Sequence, residues 1–243
     1  MSALPSIDPR TVPVLAVDSD LPIVPAERLN APALRARFAS PPIWTPEVVR
    51  EPRFSERPPA DAAVLVPLVQ NPEGLTVLLT QRTAHLPTHA GQIAFPGGKV
   101  DANDDGVHAA ALREAHEEVG LHPRHVEVIG QLPLYVTGSG FYITPVVALV
   151  QPPFNLEPNP GEVDAVFEVP LAFLMNPAHH RRHVFEWQGQ QRQWFSMPYL
   201  EPQPEAAPIE RYIWGATAGM LRNFYRFMLA DNQALAHGAS EGA

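Results

Sequence analysis

Glu114, Glu117 and Glu118 fall within five residues of one another, directly after Arg113 and just before Gly120. In a helix, positions three and four apart share a face, so Glu114 stands beside both other glutamates and Arg113 lies one turn ahead of Glu117. Three carboxylates would then converge on a small patch. A hard divalent cation such as Mg²⁺ selects carboxylate oxygens and usually keeps waters and substrate phosphate oxygens in its remaining positions. The same spacing equally describes a solvated helix face, because like charges four apart repel only weakly. Upstream, Phe95-Pro96-Gly97-Gly98 supplies a tight turn where a metal or phosphate could approach the main chain.

The elements around these residues must position them. The helix carries an apolar stripe at Val107, Ala111, Leu112, Ala115 and Val119, which predicts packing on a sheet, and Asp104 or Asp101 is placed to cap it. That sheet begins near Ala62 with the apolar run AAVLVPLVQ, turns at Asn71-Pro72-Glu73-Gly74 and returns as LTVLLTQR, a predicted hairpin. Between the hairpin and the glycines, Arg82, His85, His89 and Gln92 follow no clear period. Pro87 argues against a helical histidine pair, so the stretch reads as a polar loop beside a pocket.

Beyond the helix, 125–134 and 142–150 read as strands joined by a turn at Thr137-Gly138-Ser139-Gly140. The loop Pro158-Asn159-Pro160-Gly161-Glu162 leads into VDAVFEVPLAFLM, a strand followed by a short helix, in which alternation explains Glu168 as a polar strand position. The basic cluster 179–183 is expected to be a solvated loop, with attraction of a phosphate-rich substrate tail as the alternative. A hairpin around Gly189 and a helix from Ile213-Trp214-Gly215 to Leu229 complete the set, and Leu221, Phe224, Tyr225 and Met228 give that helix a core face. Residues 1–59 form a proline-rich arm with a short helix over 32–38, 60–230 form the domain, and 231–243 form a tail.

Composition sets limits on function. The length of 243 residues accommodates a substantial core, while a formal charge of -9 disfavours non-specific nucleic-acid binding. An anionic substrate remains accessible through a few placed cations or a divalent metal. With no cysteine there is no disulfide, thiolate zinc site or thiol nucleophile, which is compatible with a cytoplasmic protein. No signal-peptide pattern and no membrane-length apolar run is visible, and no G-x-x-x-x-G-K-[ST] occurs, which argues against a P-loop enzyme.

Gly98 to Leu121 resembles the Nudix box, G-x5-E-x7-R-E-U-x-E-E-x-G-U with U aliphatic. REAHEEVGL matches its second half, with Ala115 at the first aliphatic position; in the first half Asp104 replaces the glutamate and one extra residue precedes Arg113. That departure is similar to the coenzyme A pyrophosphatase subgroup, as is the upstream stretch Leu78-Leu79-Thr80-Gln81-Arg82 followed by Gly91 and Phe95-Pro96-Gly97-Gly98. Thr83 and Pro87 depart from the subgroup signature, the latter replacing an arginine suited to phosphate.

The resemblance implies the Nudix fold, an α/β arrangement with a mixed sheet sandwiched between helices. It also implies hydrolysis of coenzyme A or acyl-CoA to 3′,5′-ADP and 4′-phosphopantetheine or its acyl form. By position, Glu117 and Glu118 would hold Mg²⁺ or Mn²⁺, with Glu114 and the Gly98 carbonyl as further ligands and Arg113 orienting the glutamates. Glu162 is the candidate base or extra ligand, with a solvent-facing loop glutamate as the alternative. Arg82, Gln92, Gly97, Gly98 and Lys99 are candidates for substrate binding. The expected partner is a small-molecule diphosphate, with neither nucleic acid nor membrane, and a homodimer is compatible with this reading. The rivals are a Nudix hydrolase of ADP-ribose or a dinucleotide, and a Nudix-fold nucleotide sensor, whose usual sign is a broken R-E-U-x-E-E core; here that core is intact.

Overall fold

Alternation along one strand organises the fold. In the computed structural model, which describes residues 7–56, 58–85, 90–187 and 189–231, the predicted apolar run is strand β2, Ala60–Asn71. Ala63, Leu65 and Val69 enter one hydrophobic core, while Val64, Val66 and Leu68 enter another. A strand places successive side chains on opposite faces, so a continuous apolar run marks a strand covered on both sides.

The elements in chain order are β1 (Val14–Val17), α1 (Ala31–Ala39), β2, β3 (Gly74–Arg82), β4 (Ile93–Ala94), β5 (Gly97–Lys99) and α2 (Gly106–Val119). There follow β6 (Val126–Gln131), β7 (Tyr135–Val136), β8 (Phe141–Val150), β9 (Val163–Pro170), α3 (Leu171–Leu174), β10 (Arg181–Trp187), β11 (Gln190–Glu201), β12 (Ile209–Trp214) and α4 (Gly215–Leu229). The larger sheet runs β4-β3-β2-β8-β6, with β5 also on β2, β7 on β8 and β9 on β3. It is mixed: β2 and β8 are parallel, whereas β2 and β3 form the expected antiparallel hairpin, closed at Asn71 opposite Gly74. A second sheet has the order β1-β10-β11-β12.

Helix α2 covers one face of the large sheet through Ala110, Ala111, Ala115 and Val119, with Val107 and Leu112 at the margin of that core. Its predicted end holds, since Gly120 takes the left-handed conformation at φ 73° and its N–H reaches back to the carbonyls of Ala115 and His116. Its start differs from expectation. Asp105 is the N-cap and makes no side-chain capping bond, because Asp104 turns to Arg113 and to the backbone N–H of Asp101 instead. On the other face lie α4, α1 and residues of β11, and Leu34 and Val24 of the N-terminal segment are buried in this core.

The basic cluster at 179–183 is not a solvated loop. His180 and His183 are fully buried, and Arg182 pairs with Asp18 and Glu47 of the N-terminal segment at 2.7 Å each. On α4, buried Arg222 meets the same Glu47 at 2.7 Å and donates to His180 Nδ1 at 2.9 Å. This ion cluster ties the arm to the terminal helix. Among the described residues no helix is long and apolar enough to cross a membrane.

Candidate active site

The site forms where α2, the ends of β3 and β5 and the start of β9 meet. Arg113 is its hinge. Its Nε and Nη2 donate to the two carboxylate oxygens of Asp104 at 2.9 Å each, a two-pronged pair. Its Nη1 donates to Glu114 Oε1 and Glu117 Oε2, again at 2.9 Å each, and Nη2 reaches the Lys99 carbonyl at 3.1 Å. One guanidinium thus orders the loop before α2, its glutamate face and strand β5. The arginine holds the Asp104 carboxyl down at about 2, helped by the Asp101 N–H. Asp104 in turn pushes the Arg113 pKa up.

Glu118 has a different environment. It is buried, accepts from the Gly97 N–H through Oε2 at 3.1 Å, and has Arg82 Nη1 3.6 Å from Oε1. Burial pushes its carboxyl up to about 7; the Gly97 N–H and Arg82 oppose that shift, while Glu162 and Glu114 add to it. Burial likewise raises Glu114, against the pull of Arg113, and Glu117 and Glu162 add to the shift. The four carboxylates therefore share one electrostatic neighbourhood.

They do not converge as closely as helical spacing predicts. Among the described residues no three acidic or histidine side chains are gathered into a metal-holding set. Their partners divide them: Arg113 Nη1 holds Glu117, whose side chain is 58% exposed, together with Glu114, while the Gly97 N–H holds Glu118 inward.

Both glycines are closely approached, Gly97 by backbone and Gly98 by a side-chain end. A Cβ on Gly97 would lie 2.4 Å from the Ala63 carbonyl oxygen, and one on Gly98 would lie 2.5 Å from the Glu114 carboxylate. Gly98 thereby leaves room for that carboxylate against the β5 backbone, which pairs with β2. Arg82 ends β3 with its Nε buried and without a hydrogen-bond partner among the described residues. Gln92 faces it through the backbone, its carbonyl accepting from the Arg82 N–H at 2.9 Å. Lys99 contributes its carbonyl to Arg113, and its side chain is exposed. Glu162 is half-buried just before β9 and receives the Asn159 amide at 3.3 Å. His85 joins no metal set, and His89 and Pro87 lie outside the described residues.

Two partners in this site were not visible as such in the sequence. Asp104 is the anchor of Arg113 rather than a helix cap, and its only sequence signal is its register in the box. Asn159 touches Glu162, and its signal is an Asn-Pro-Gly turn just before a candidate carboxylate.

A profile of the NUDIX domain matches residues 59–212. The chain belongs to the NUDIX family. It is 43% identical over 180 residues to an uncharacterized Nudix hydrolase, NudL, of Shigella flexneri serotype 5b, covering 73% of this chain and 85% of that one. It is 45% identical over 164 residues to the protein of the same description in Escherichia fergusonii, covering 66% and 79%. A Nudix hydrolase structure from M. smegmatis, RenU, superposes with a TM-score of 0.41 at 27% identity, covering 50% of this chain and 79% of that one. As a NUDIX protein with this arginine and glutamate core, the chain is a Nudix hydrolase acting on a diphosphate substrate.

Proposed function

We propose that this NUDIX hydrolase cleaves the diphosphate of coenzyme A or acyl-CoA, releasing 3′,5′-ADP and 4′-phosphopantetheine or its acyl form. The observation that carries the reaction class is the Arg113 hinge, which fixes Asp104, Glu114 and Glu117 beside buried Glu118. The substrate class is supported by the subgroup pattern at 78–82, 91 and 95–98 and by Asp104 in the lengthened box.

Nudix hydrolases generally use divalent metal ions, and the donor set here suits Mg²⁺ or Mn²⁺. Its oxygens are hard carboxylates, and Gly98 leaves the Glu114 carboxylate a place that any Cβ would fill. Glu114, Glu117 and Glu118 would hold the ion, with the Gly98 carbonyl as a further donor. Bound there, it would neutralise phosphate oxygens and acidify a water. The chain's own residues do the rest. Arg82, whose buried Nε has no hydrogen-bond partner among the described residues, offers a donor to a phosphate oxygen beside Glu118. Arg113 holds the glutamates in register, and Glu162 accepts the proton of the attacking water as general base. Gln92, Gly97 and Lys99 line the approach.

A panel of coenzyme A, ADP-ribose and dinucleotide substrates with Mg²⁺ or Mn²⁺ tests this reading. The expected result is the highest kcat/KM for coenzyme A or an acyl-CoA, with Glu117→Gln folded but at least about a hundredfold slower. Preference for ADP-ribose would overturn the substrate assignment. Wild-type turnover by Glu117→Gln would overturn the ligand assignment.

A further inference from the structure

The loop that precedes β9 is fastened on both sides. On one side it is bound to the last turn of α2: the Glu157 N–H donates to the Val119 carbonyl at 2.9 Å and the Asn159 N–H to the Glu118 carbonyl at 2.8 Å. On the other it is bound to the end of β3, where the Thr83 N–H donates to the Glu162 carbonyl at 3.0 Å. Asn159 stands at the centre. Its own carbonyl accepts from the N–H groups of Glu162 and Val163 at 3.0 and 2.9 Å. Its side-chain oxygen accepts from the Gly161 N–H at 3.0 Å, and its side-chain nitrogen lies 3.3 Å from Glu162 Oε1.

The orientation of that amide follows from its partners. A backbone N–H can only donate, so the atom facing Gly161 must be the oxygen. The NH₂ group must then face the Glu162 carboxylate, which can only accept while ionised. One residue therefore joins the backbone of Glu118 to the carboxylate of Glu162, two acids on different elements. Glu162 is placed by no other side-chain hydrogen bond that the described residues show.

We propose that Asn159 is a positioning residue for the hydrolysis, aiming the Glu162 carboxylate at the reacting water and fixing its distance from the Glu118 turn. This rests on the reading of Glu162 as general base. A purely structural role for Asn159 would need only its oxygen, which closes the turn to Gly161. The positioning role needs its NH₂.

Asn159→Asp separates the two. It retains an oxygen for Gly161 and replaces the donor that faces Glu162 with a second carboxylate. Steady-state kinetics on the full chain with Mg²⁺ would use coenzyme A and, in parallel, ADP-ribose, so that a wrong substrate class appears as wild-type inactivity on the first alone. The expected result for Asn159→Asp is a fall in kcat of about tenfold or more, with KM and the melting temperature near wild type. Asn159→Ser, which keeps an oxygen for the turn but is too short to reach Glu162, should lose kcat similarly. The double variant with Glu162→Gln should be no slower than Glu162→Gln alone, since the group being positioned is gone. Wild-type kcat in Asn159→Asp, with Glu162→Gln inactive, would overturn the positioning role and leave the base intact. Full activity in Glu162→Gln would overturn the base reading and the positioning role with it.

Discussion

Glu118 is held in the folded protein at a cost, and removing its charge should make the metal-free enzyme more stable. Burial raises its carboxyl from an ordinary 4.5 to about 7. The folded state thus binds this proton more tightly than the unfolded chain, and stability falls as pH rises from 4.5 to 7. At 1.36 kcal/mol per pH unit the full penalty is about 3 kcal/mol, complete above pH 7 and absent below 4.5. In Glu118→Gln the side-chain oxygen can still accept from the Gly97 N–H, now without a charge to desolvate.

Urea or thermal unfolding with EDTA at pH 8 and pH 5 measures the difference. At pH 8 Glu118→Gln should exceed wild type by about 3 kcal/mol, roughly 6–12 °C in Tm for a chain of this size. At pH 5 the gap should shrink to about 1 kcal/mol or less. Added Mg²⁺ or Mn²⁺ at pH 8 should raise the wild-type Tm and move the variant less, because the variant has lost one of the three charged ligands. An equal gap at both pH values would refute the burial argument. A variant less stable than wild type at pH 8 would show that Glu118 is held there by favourable contacts rather than against desolvation.

The adjacent glycines should separate stability from activity. Gly97→Ala drives a methyl into the Ala63 carbonyl and the Val64 Cα, neither of which can move without the strand, so it should cost about 2 kcal/mol or more by chemical denaturation. Gly98→Ala meets the end of the Glu114 side chain first, a flexible group, so it should leave the melting temperature within a few degrees and lower kcat by displacing that carboxylate. In the arm, Arg222, Arg226 and Arg182 hold the Glu47 carboxyl down at about 2 against its burial. Its contribution is present above pH 4.5 and lost as pH falls through 2, so Glu47→Gln should cost about 2 kcal/mol at neutral pH, allowing for partial solvent screening, and less near pH 2.

The parts of the fold legible in sequence were those with a period. The β2 and β3 hairpin, the helix ending at Gly120 and the terminal helix into Leu229 follow from apolar spacing and from one left-handed glycine, although Ile213 and Trp214, expected to open that last helix, end strand β12 and the helix starts at Gly215. The cluster at 179–183 misled because its charge suggested solvent. Its partners Asp18, Glu47 and Arg222 lie far away in sequence, and pairing across such a distance leaves no local pattern. The N-terminal segment was similarly opaque, because proline density indicates extended chain but not that Leu34 enters the core.

At the site, helical spacing located the glutamates but not their division of labour. The three differ in what each one touches: Glu117 faces a guanidinium in solvent, Glu114 lies against a bare glycine, and Glu118 lies under a backbone N–H. Those partners come from Arg113 and β5, and burial raises the Glu114 and Glu118 carboxyls, Glu118 to about 7. The carboxylate opposite them, Glu162, belongs to another element and depends on a loop fastened to the carbonyl of Glu118 itself. The backbone of one glutamate thereby helps set the position of another. Exchanging the 158–162 turn for a flexible segment of equal length should therefore depress kcat more than it depresses stability, since the fastening orients an acid and buries little apolar surface.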